Sequence, residues 1–496
     1  MDYLDPKKEL KEQVTLIIGY VLVAIAITFA SVILLYKAYG FNFGKNGSVV
    51  QDGLVFFSSQ PNPANIYVNG KLSANTTNTR LFLPSGIYNI ELSDSGYRNW
   101  YRRITVIGGS VEHFDYPLLI PQHLITQSIA TYNGAPVFMS QSPSRQYILI
   151  DDPGSLTSFD LYNLNNPAKP TVSNLTLPSN ILSPSVTGNQ SLSVVAWSND
   201  NQHVLLDHQY DGNNEYILLD TSNISQSVNL TTTFNLNSSD QITLNNNTYN
   251  NYYIYDSLTQ VLSSATLGSS TIKPVLNSVL GYQSYGNNEI LYATTVGAKS
   301  GKANVKLFTP NGNYNITSLV NSGKFLLNLT SYSGVLYVAV GTTAGSDVYI
   351  YGDPIVQLQN TPNQALAPTW VLHVNQPNYL SFSDNAQFIL TENNYNYASY
   401  DIENSLGYLY SDKNMPLDPP QQHVTWMDGD RTVYVSHGKV IMQDYDNNNQ
   451  QTLVSAASQY VPAFNTNYHY MYTLSPANKA NQYFLQSTPL LTPADL

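Results

Sequence analysis

The chain contains no cysteine, which removes disulfides and thiolate chemistry from every reading of its 496 residues. Charge is also scarce. Only 11% of residues are charged, 21 of them basic against 33 acidic, for a net charge of −12. Phosphate binding needs clustered Lys and Arg, so nucleic acid is excluded as a partner, and the same deficit argues against docking the main body on anionic headgroups. Neither a zinc-protease helix motif nor a Gly-x-Ser-x-Gly elbow occurs, so metal hydrolysis and α/β-hydrolase chemistry have no carrier. No catalytic, metal-binding or cofactor-binding residue is nominated, no cofactor is expected, and ligand-binding residues stay unassigned.

One feature stands against this polar, Asn- and Tyr-rich background. Leu16–Leu35 is a twenty-residue run without a charge. At about 1.5 Å per residue it makes a helix of roughly 30 Å, the thickness of a bilayer's hydrocarbon core. Asp5-Pro6 suits an N-cap followed by proline at the first helical position, and Tyr36, Lys37 and Tyr39 suit the headgroup layer. A cleaved signal peptide would want a shorter apolar region, a net-positive start and a small-x-small site, whereas here Asp2, Asp5, Glu9 and Glu12 outnumber Lys7, Lys8 and Lys11 and no Ala-x-Ala follows the apolar run. The expected organisation is a short cytoplasmic tail over 1–13, a transmembrane helix over 14–39 and a flexible spacer over 40–52. Three Lys before the helix against Lys37 and Lys45 after it barely discriminate an orientation. The cysteine-free, weakly charged composition places the bulk outside the cell. Asn-x-Ser/Thr triplets such as that at Asn174 arise by chance in so Asn-rich a chain, and glycosylation is not inferred from them.

Beyond the spacer, Leu54–Ser58 and Ile66–Val68 read as strands, with Asn69-Gly70 as a hairpin signal. Arg80–Leu83, a Pro84-Ser85-Gly86 turn, Ile87–Leu92, a Ser95-Gly96-Tyr97 turn, Ile104–Ile107 and Val111–Tyr116 complete six or seven strands in about 65 residues. Ser59-Gln60-Pro61-Asn62-Pro63-Ala64, Tyr67-Val68-Asn69-Gly70, Pro84-Ser85-Gly86-Ile87-Tyr88 and Gly96-Tyr97 together resemble the PEGA module, a small β-sandwich of membrane-anchored and surface-layer-associated proteins. The naming tetrapeptide is altered to Pro61-Asn62-Pro63-Ala64, and Asn69 replaces the Asp of Asp-Gly, both conservative for turn chemistry. The resemblance implies a spacer or binding role for 53–120, about a seventh of the chain, and transfers no catalytic residue.

From His123 onward, short β-rich runs recur with turn clusters every 8–12 residues and without helical periodicity. Ser193–Asp220 is the best-formed unit: a strand to Trp197, a Ser198-Asn199-Asp200-Asn201 turn, and strands Val204–Asp207 and Tyr216–Asp220. It resembles the repeat of TolB-type and WD40-like β-propellers. Weaker copies lie at Gln141–Ser144, Phe382–Asn385, Trp426–Gly429 and Phe464-Asn465, with further units near Gln241, Tyr282 and Asn328. Phe382 to Trp426 spans 44 residues and Trp426 to Phe464 spans 38, near the length of a propeller blade. The count gives eight blades, with seven as the alternative. The expected domain is 121–489, followed by a tail over 490–496. The last unit lacks a fourth strand after Tyr483–Ser487, and Leu124–Ala130 is the expected donor that closes the ring.

Local motifs read as turns. Val296-Gly297-Ala298-Lys299-Ser300-Gly301-Lys302 is one residue short of a phosphate loop, lacks its Ser/Thr and precedes no helix. Asp444–Asn448 begins like a calcium loop, but Asn449 and Ser455 hold the Gly and Glu places. Asp211-Gly212-Asn213-Asn214 is a turn by the same chemistry. His203 and His208, at odd spacing, face opposite sides of a strand. A sialidase needs an arginine cluster, yet the propeller holds only Arg145 and Arg431. The 39 tyrosines, Tyr252-Tyr253, Tyr395, Tyr397, Tyr400, Tyr468, Tyr470 and Tyr472 among them, read first as strand formers and second as a platform for sugars or partners.

The functional expectation is a single-pass cell-membrane protein, all-β apart from its anchor, with the N-terminus cytoplasmic. It displays the sandwich and propeller outside as a binding or scaffold module for protein or cell-envelope glycan. The alternative is an extracytoplasmic glycan hydrolase or lyase with carboxylates in the propeller mouth.

Overall fold

The structure, a computed structural model, describes residues 6–38, 40–43, 49–269, 271–286, 288–361, 364–419, 423–477 and 481–495. The expected N-cap at Asp5, the interfacial Tyr39 and spacer residues 44–48 lie outside these. Chain contacts separate two units, one running to His123 and including Pro493–Asp495, the other spanning Leu124–Thr492.

Helix α1, Pro6–Ala38, is longer than the span expected from hydropathy, because residues 6–13 continue the helix where a tail was expected. Its Leu10–Ala38 portion is long and apolar enough to cross a bilayer, and none of its apolar window is buried by protein. The hydroxyls of Thr15 and Thr28 donate to the carbonyls of Lys11 and Ala24 at 2.7 and 2.8 Å. Two polar groups in the apolar stretch are thereby satisfied by the helix itself.

The spacer expectation is corrected by a short strand. β1, Phe41–Phe43, pairs antiparallel with the start of β2, Val49–Phe57, in the register Phe41 to Gln51. The strands β3 (Asn65–Val68), β4 (Lys71–Thr76), β5 (Thr79–Pro84), β6 (Gly86–Ser93), β7 (Trp100–Val106) and β8 (Val111–Phe114) complete a two-sheet sandwich. In one sheet β2 lies between β5 and a parallel β8, with β1 beside its N-terminal end; the other runs β4-β3-β6-β7. Inward positions of both sheets, Val55, Phe57, Ile66, Ile90, Leu92, Trp100 and Ile104, form the core. The Asn69-Gly70 hairpin forms as expected, with φ of 50° and 76°, and its return strand β4 is almost entirely exposed. Gly53 is required by a close approach: a Cβ there would sit 2.7 Å from the carbonyl oxygen of Ile107.

The second unit contains, among the described residues, eight consecutive four-stranded antiparallel sheets, numbered I to VIII here. They span 139–176, 190–229, 240–276, 281–320, 325–373, 379–411, 425–455 and 463–489. In sheets I to VII the four strands follow one another in sequence; sheet I is β10 (Met139–Gln141), β11 (Tyr147–Asp151), β12 (Ser158–Asn163) and β13 (Thr171–Thr176). Sheet VIII has only three strands of its own. Its fourth is β9, Gln127–Tyr132, which pairs antiparallel with Tyr483–Pro489 from Tyr132–Tyr483 to Gln127–Ser487. The closing strand lies two to three residues beyond its expected place, and it leaves no free edge at the join.

First strands of successive sheets touch, II with III, IV with V and V with VI, so this strand of each sheet faces the ring interior. Apolar cores lie between neighbouring sheets: Leu149, Phe159, Trp197 and Val204 between I and II, and Leu291, Val305, Val338 and Val340 between IV and V. A second strand is therefore covered on both faces. Arg431–Ser436 is buried at every position, so no inside-outside alternation marks this strand. The indole N–H of Trp197 donates to Ser140 at 2.9 Å, and that of Trp426 to Ser381 at 2.9 Å, the same sheet-to-sheet bond made twice.

The 490–496 expectation is also corrected. Leu490 and Leu491 are buried, the Leu490 N–H donates to the His469 carbonyl at 2.7 Å, and Asp495 accepts from the Tyr97 hydroxyl at 2.7 Å. Leu496 lies outside the described residues.

Candidate functional site

The first strand of several ring sheets ends in one recurring turn. In Ser142–Arg145, Ser198–Asn201, Ser383–Ala386 and Asn465–Tyr468 the fourth residue's N–H donates to the first residue's carbonyl at 2.8–3.0 Å. Each fourth residue is left-handed, with φ between 60° and 62°. In three of them the first side chain also accepts from the N–H five residues on, at Tyr147, Phe388 and Tyr470. The Ser or Asn that opens the turn is therefore structural. Sheet VII uses a shorter version, with the Met427 N–H donating to the Arg431 carbonyl at 2.8 Å.

Shared geometry brings the tips of sheets VI, VII, VIII and I together. The Arg145 guanidinium pairs with Asp384 and lies 4.9 Å from the centre of the Tyr468 ring. Arg431 pairs with Asp428, whose Oδ1 accepts the N–H groups of Asp430 and Arg431 at 2.8 Å each. The Ser144 N–H donates to Asn201 at 2.8 Å, and the Thr466 hydroxyl donates to the Ser144 carbonyl at 3.2 Å. Both arginines of the propeller thus meet in one cluster, each held by a carboxylate. Burial pushes the Asp430 carboxyl up to about 7, and Asp428, Asp444 and Asp401 add to this against the pull of Arg431. Burial also raises Asp384, opposed by Arg145. The cluster's guanidinium groups are already engaged by protein carboxylates, which is not how a receptor for a substrate carboxylate is arranged.

A second candidate lies at the ring join. Thr131, Tyr132, Asn133, Asp152, Pro153, Asp160 and Asn174 line a cleft of about 260 Å³. The Tyr132 hydroxyl donates to Asp160 at 2.9 Å and lies 2.9 Å from the Tyr162 hydroxyl; burial, with Tyr162 and Asp160 beside it, pushes its pKa far above the usual tyrosine range. Carboxylates, amides and a hydroxyl around a polar cleft are the groups that bind sugar hydroxyls.

The motifs singled out in the sequence are turns. Val296–Lys302 joins strands Glu289–Thr294 and Lys302–Thr309, and 444–448 leads between Lys439–Asp444 and Gln451–Ser455. Asp211 and Gly212, with φ of 49° and 83°, form a hairpin turn. His203 is bonded to Asp200 at 2.6 Å and stacked on Tyr249. His208 is buried against Glu215 at 2.8 Å, and Glu215 also accepts from Ser183 and Asn229. Burial alone would raise Glu215, but hydrogen bonds from His208, Ser183 and Asn229 outweigh it and hold the group low. Ser183 donates to the carboxylate and not to the imidazole, so these residues do not form a nucleophilic relay. Among the described residues no group of three His, Asp or Glu is placed to hold a metal ion.

The tyrosine platform is corrected in part. Tyr252, Tyr253, Tyr400 and Tyr472 are buried in the sheet-to-sheet cores, and Tyr397 is buried and stacked on Tyr410. Sequence reasoning noted Arg145 and Arg431 but did not bring them together. The signal that would have done so is their equivalent place in the repeat, at or just after the turn that ends a first strand.

Residues 53–120 match the family model of the PEGA domain. A search of curated proteins finds no match. Among solved structures the chain is similar to the Dos1 propeller at 12% identity, covering 73% of this chain and 95% of that one, with a TM-score of 0.45. It is similar to an oligogalacturonate lyase in complex with manganese at 10% identity, covering 73% and 99%, with a TM-score of 0.40. For the Cps50 (Swd1) β-propeller domain of Myceliophteria thermophila the values are 8%, 74% and 100%, with a TM-score of 0.36. These likenesses concern the fold and bring no chemistry with them.

Proposed function

We propose that the protein is a single-pass membrane-anchored binding or scaffold module, with its N-terminus in the cytoplasm and its sandwich and propeller outside, where they contact protein or cell-envelope glycan. The observation that carries this reading is α1: its apolar stretch is long enough to span a bilayer, and among the described residues of its own unit none of that stretch is buried. Charge distribution supports it. The ten acidic and ten basic residues outside 124–492 cancel, so the whole net charge of −12 resides in the propeller. An acidic propeller is repelled by anionic headgroups and favours cationic or polar partners. The cleft at Asp160 suits a polyhydroxylated ligand.

Protease added to intact spheroplasts is expected to remove the C-terminal units and leave a short membrane-bound stub. Full protection of the propeller would overturn the outward orientation, and release of a soluble protein beginning near residue 40 without protease would identify a cleaved leader. A second reading, a glycan hydrolase or lyase, is favoured by Asp430, whose raised pKa beside the arginine-paired Asp428 is the pattern of a general acid. Loss of envelope-polysaccharide cleavage in Asp430→Asn, with binding intact, would select that reading.

A further inference from the structure

The sandwich has one unusual end. Among the described residues the sandwich has six exposed large apolar side chains; Leu72 and Tyr101 lie elsewhere, and the other four, Phe82, Ile87, Ile107 and Val111, are 61%, 56%, 62% and 55% accessible. The register places all four at the same end. Phe82 and Val111 flank Leu54 on β2, from β5 and from β8. Ile87 faces Thr105 one pair from the Gly86–Val106 end of the second sheet, and Ile107 follows directly on Val106. The Ser85 N–H donates to the Gln51 carbonyl at 3.3 Å and the Gly109 N–H to the Asp52 carbonyl at 3.0 Å, which ties both turns to the start of β2.

That start of β2 is where α1 enters. The Gly40 N–H donates to the Lys37 carbonyl at 3.0 Å, the Asp52 N–H donates to the Gly40 carbonyl at 2.6 Å, and Phe41 pairs with Gln51. Only two residues separate Ala38 from Phe41, a reach of at most about 10 Å over three steps of the chain. The headgroup layer on each side of a hydrocarbon core is about 5–7 Å thick. An end so close to the helix exit meets that layer, where exposed Ile, Val and Phe are stabilised and would be costly in water. Arg80, exposed on β5 opposite Phe56, and Lys37 in the last helical turn add cations suited to phosphate.

We infer that this end of the sandwich seats on the lipid surface, with Phe82, Ile87, Ile107 and Val111 inserted among headgroups, so that the module is a membrane-resting collar and not a free stalk. The inference rests on the anchor reading, and its test separates the two. The chain has no cysteine, so single substitutions label cleanly. Full-length Ile107→Cys, Ile25→Cys and Ser95→Cys, each carrying an environment-sensitive fluorophore, are reconstituted in phosphatidylcholine–phosphatidylglycerol vesicles. Lipids spin-labelled near the headgroup or at mid-chain serve as quenchers. Ser95 is exposed in the turn just beyond the far end of β6, roughly 25 Å away at about 3.3 Å per residue. The expected result is a several-fold stronger quenching of the Ile107 probe than of the Ser95 probe by the shallow label, with the Ile25 probe quenched by the deep one. Quenching at Ile25 with none at Ile107 overturns the collar and leaves the anchor standing. No quenching at either overturns the anchor reading itself. An Ile107 probe shielded from both lipid quencher and aqueous iodide means that protein covers this end, which also overturns the proposal.

Discussion

Replacing Tyr132 tests the ring join more sharply than removing the whole closing strand. Tyr132 is the buried residue of β9 and belongs to the core that sheets VIII and I share, with Ile148, Ile150, Tyr162, Tyr472 and Leu485. Its hydroxyl bonds Asp160, and the hydroxyls of Tyr460 and Tyr472 cross the same join to the carbonyls of Pro136 and Pro167 at 2.7 and 2.8 Å. Tyr132→Phe removes the hydrogen bond to the Asp160 carboxylate and the contact with the Tyr162 hydroxyl, a loss of about 1.5–3 kcal/mol dominated by the charged partner. Tyr132→Ala adds an aromatic-sized cavity and brings the total to about 5 kcal/mol. With an unfolding entropy of about 2.1 cal/mol/K per residue, a ring of roughly 370 residues changes Tm by about 1.3 °C per kcal/mol. The phenylalanine variant is expected to melt roughly 2–4 °C lower and the alanine variant about 6 °C lower, read by scanning calorimetry of the detergent-solubilised full chain. Val186→Ala, at an almost fully exposed position of the same unit, is expected to leave the transition in place. If Tyr132→Ala melts with Val186→Ala, β9 does not hold the ring closed.

Three further outcomes follow from buried groups. Glu215 is held below its ordinary value of 4.5, so its stabilisation is fully present above that value and is lost as pH falls; a melting series should show Glu215→Gln destabilised at pH 7 and converging on the parent in the acid range. Asp430 has the opposite sign. Its folded value near 7 against an ordinary 3.8 means that stability falls as pH rises between the two, so Asp430→Asn is expected to melt above the parent at pH 8 and to lose that advantage near pH 4. Deleting 490–496 removes two buried leucines, and by the usual cost of about 2–5 kcal/mol for each buried leucine it should lower the ring's Tm by several degrees; an unchanged melt would mean that these leucines add nothing to the core.

The sequence by itself determined the features written in local chemistry. Apolar length gave α1, turn residues gave the Asn69-Gly70 hairpin and the sandwich strands, and a repeated strand–turn–strand pattern located the first strand of each ring sheet. The closing strand was legible because a three-stranded last unit needs a fourth. Strand β1 was not, since three residues among glycines carry no period and form a strand only because β2 offers an edge. The exposed β4 is held by its hairpin and by β3 in the same way. Where the tyrosines point was decided by tertiary structure: a ring buries both faces of its middle strands, and strand propensity is silent about which face a neighbour covers. The tip cluster is the clearest case. Arg145 and Asp384 lie 239 residues apart, and no local signal links them. They meet because closure returns sheet I to the side of sheet VIII, where the turns that end the first strands of sheets VI, VIII and I bring Asp384, Tyr468 and Arg145 together.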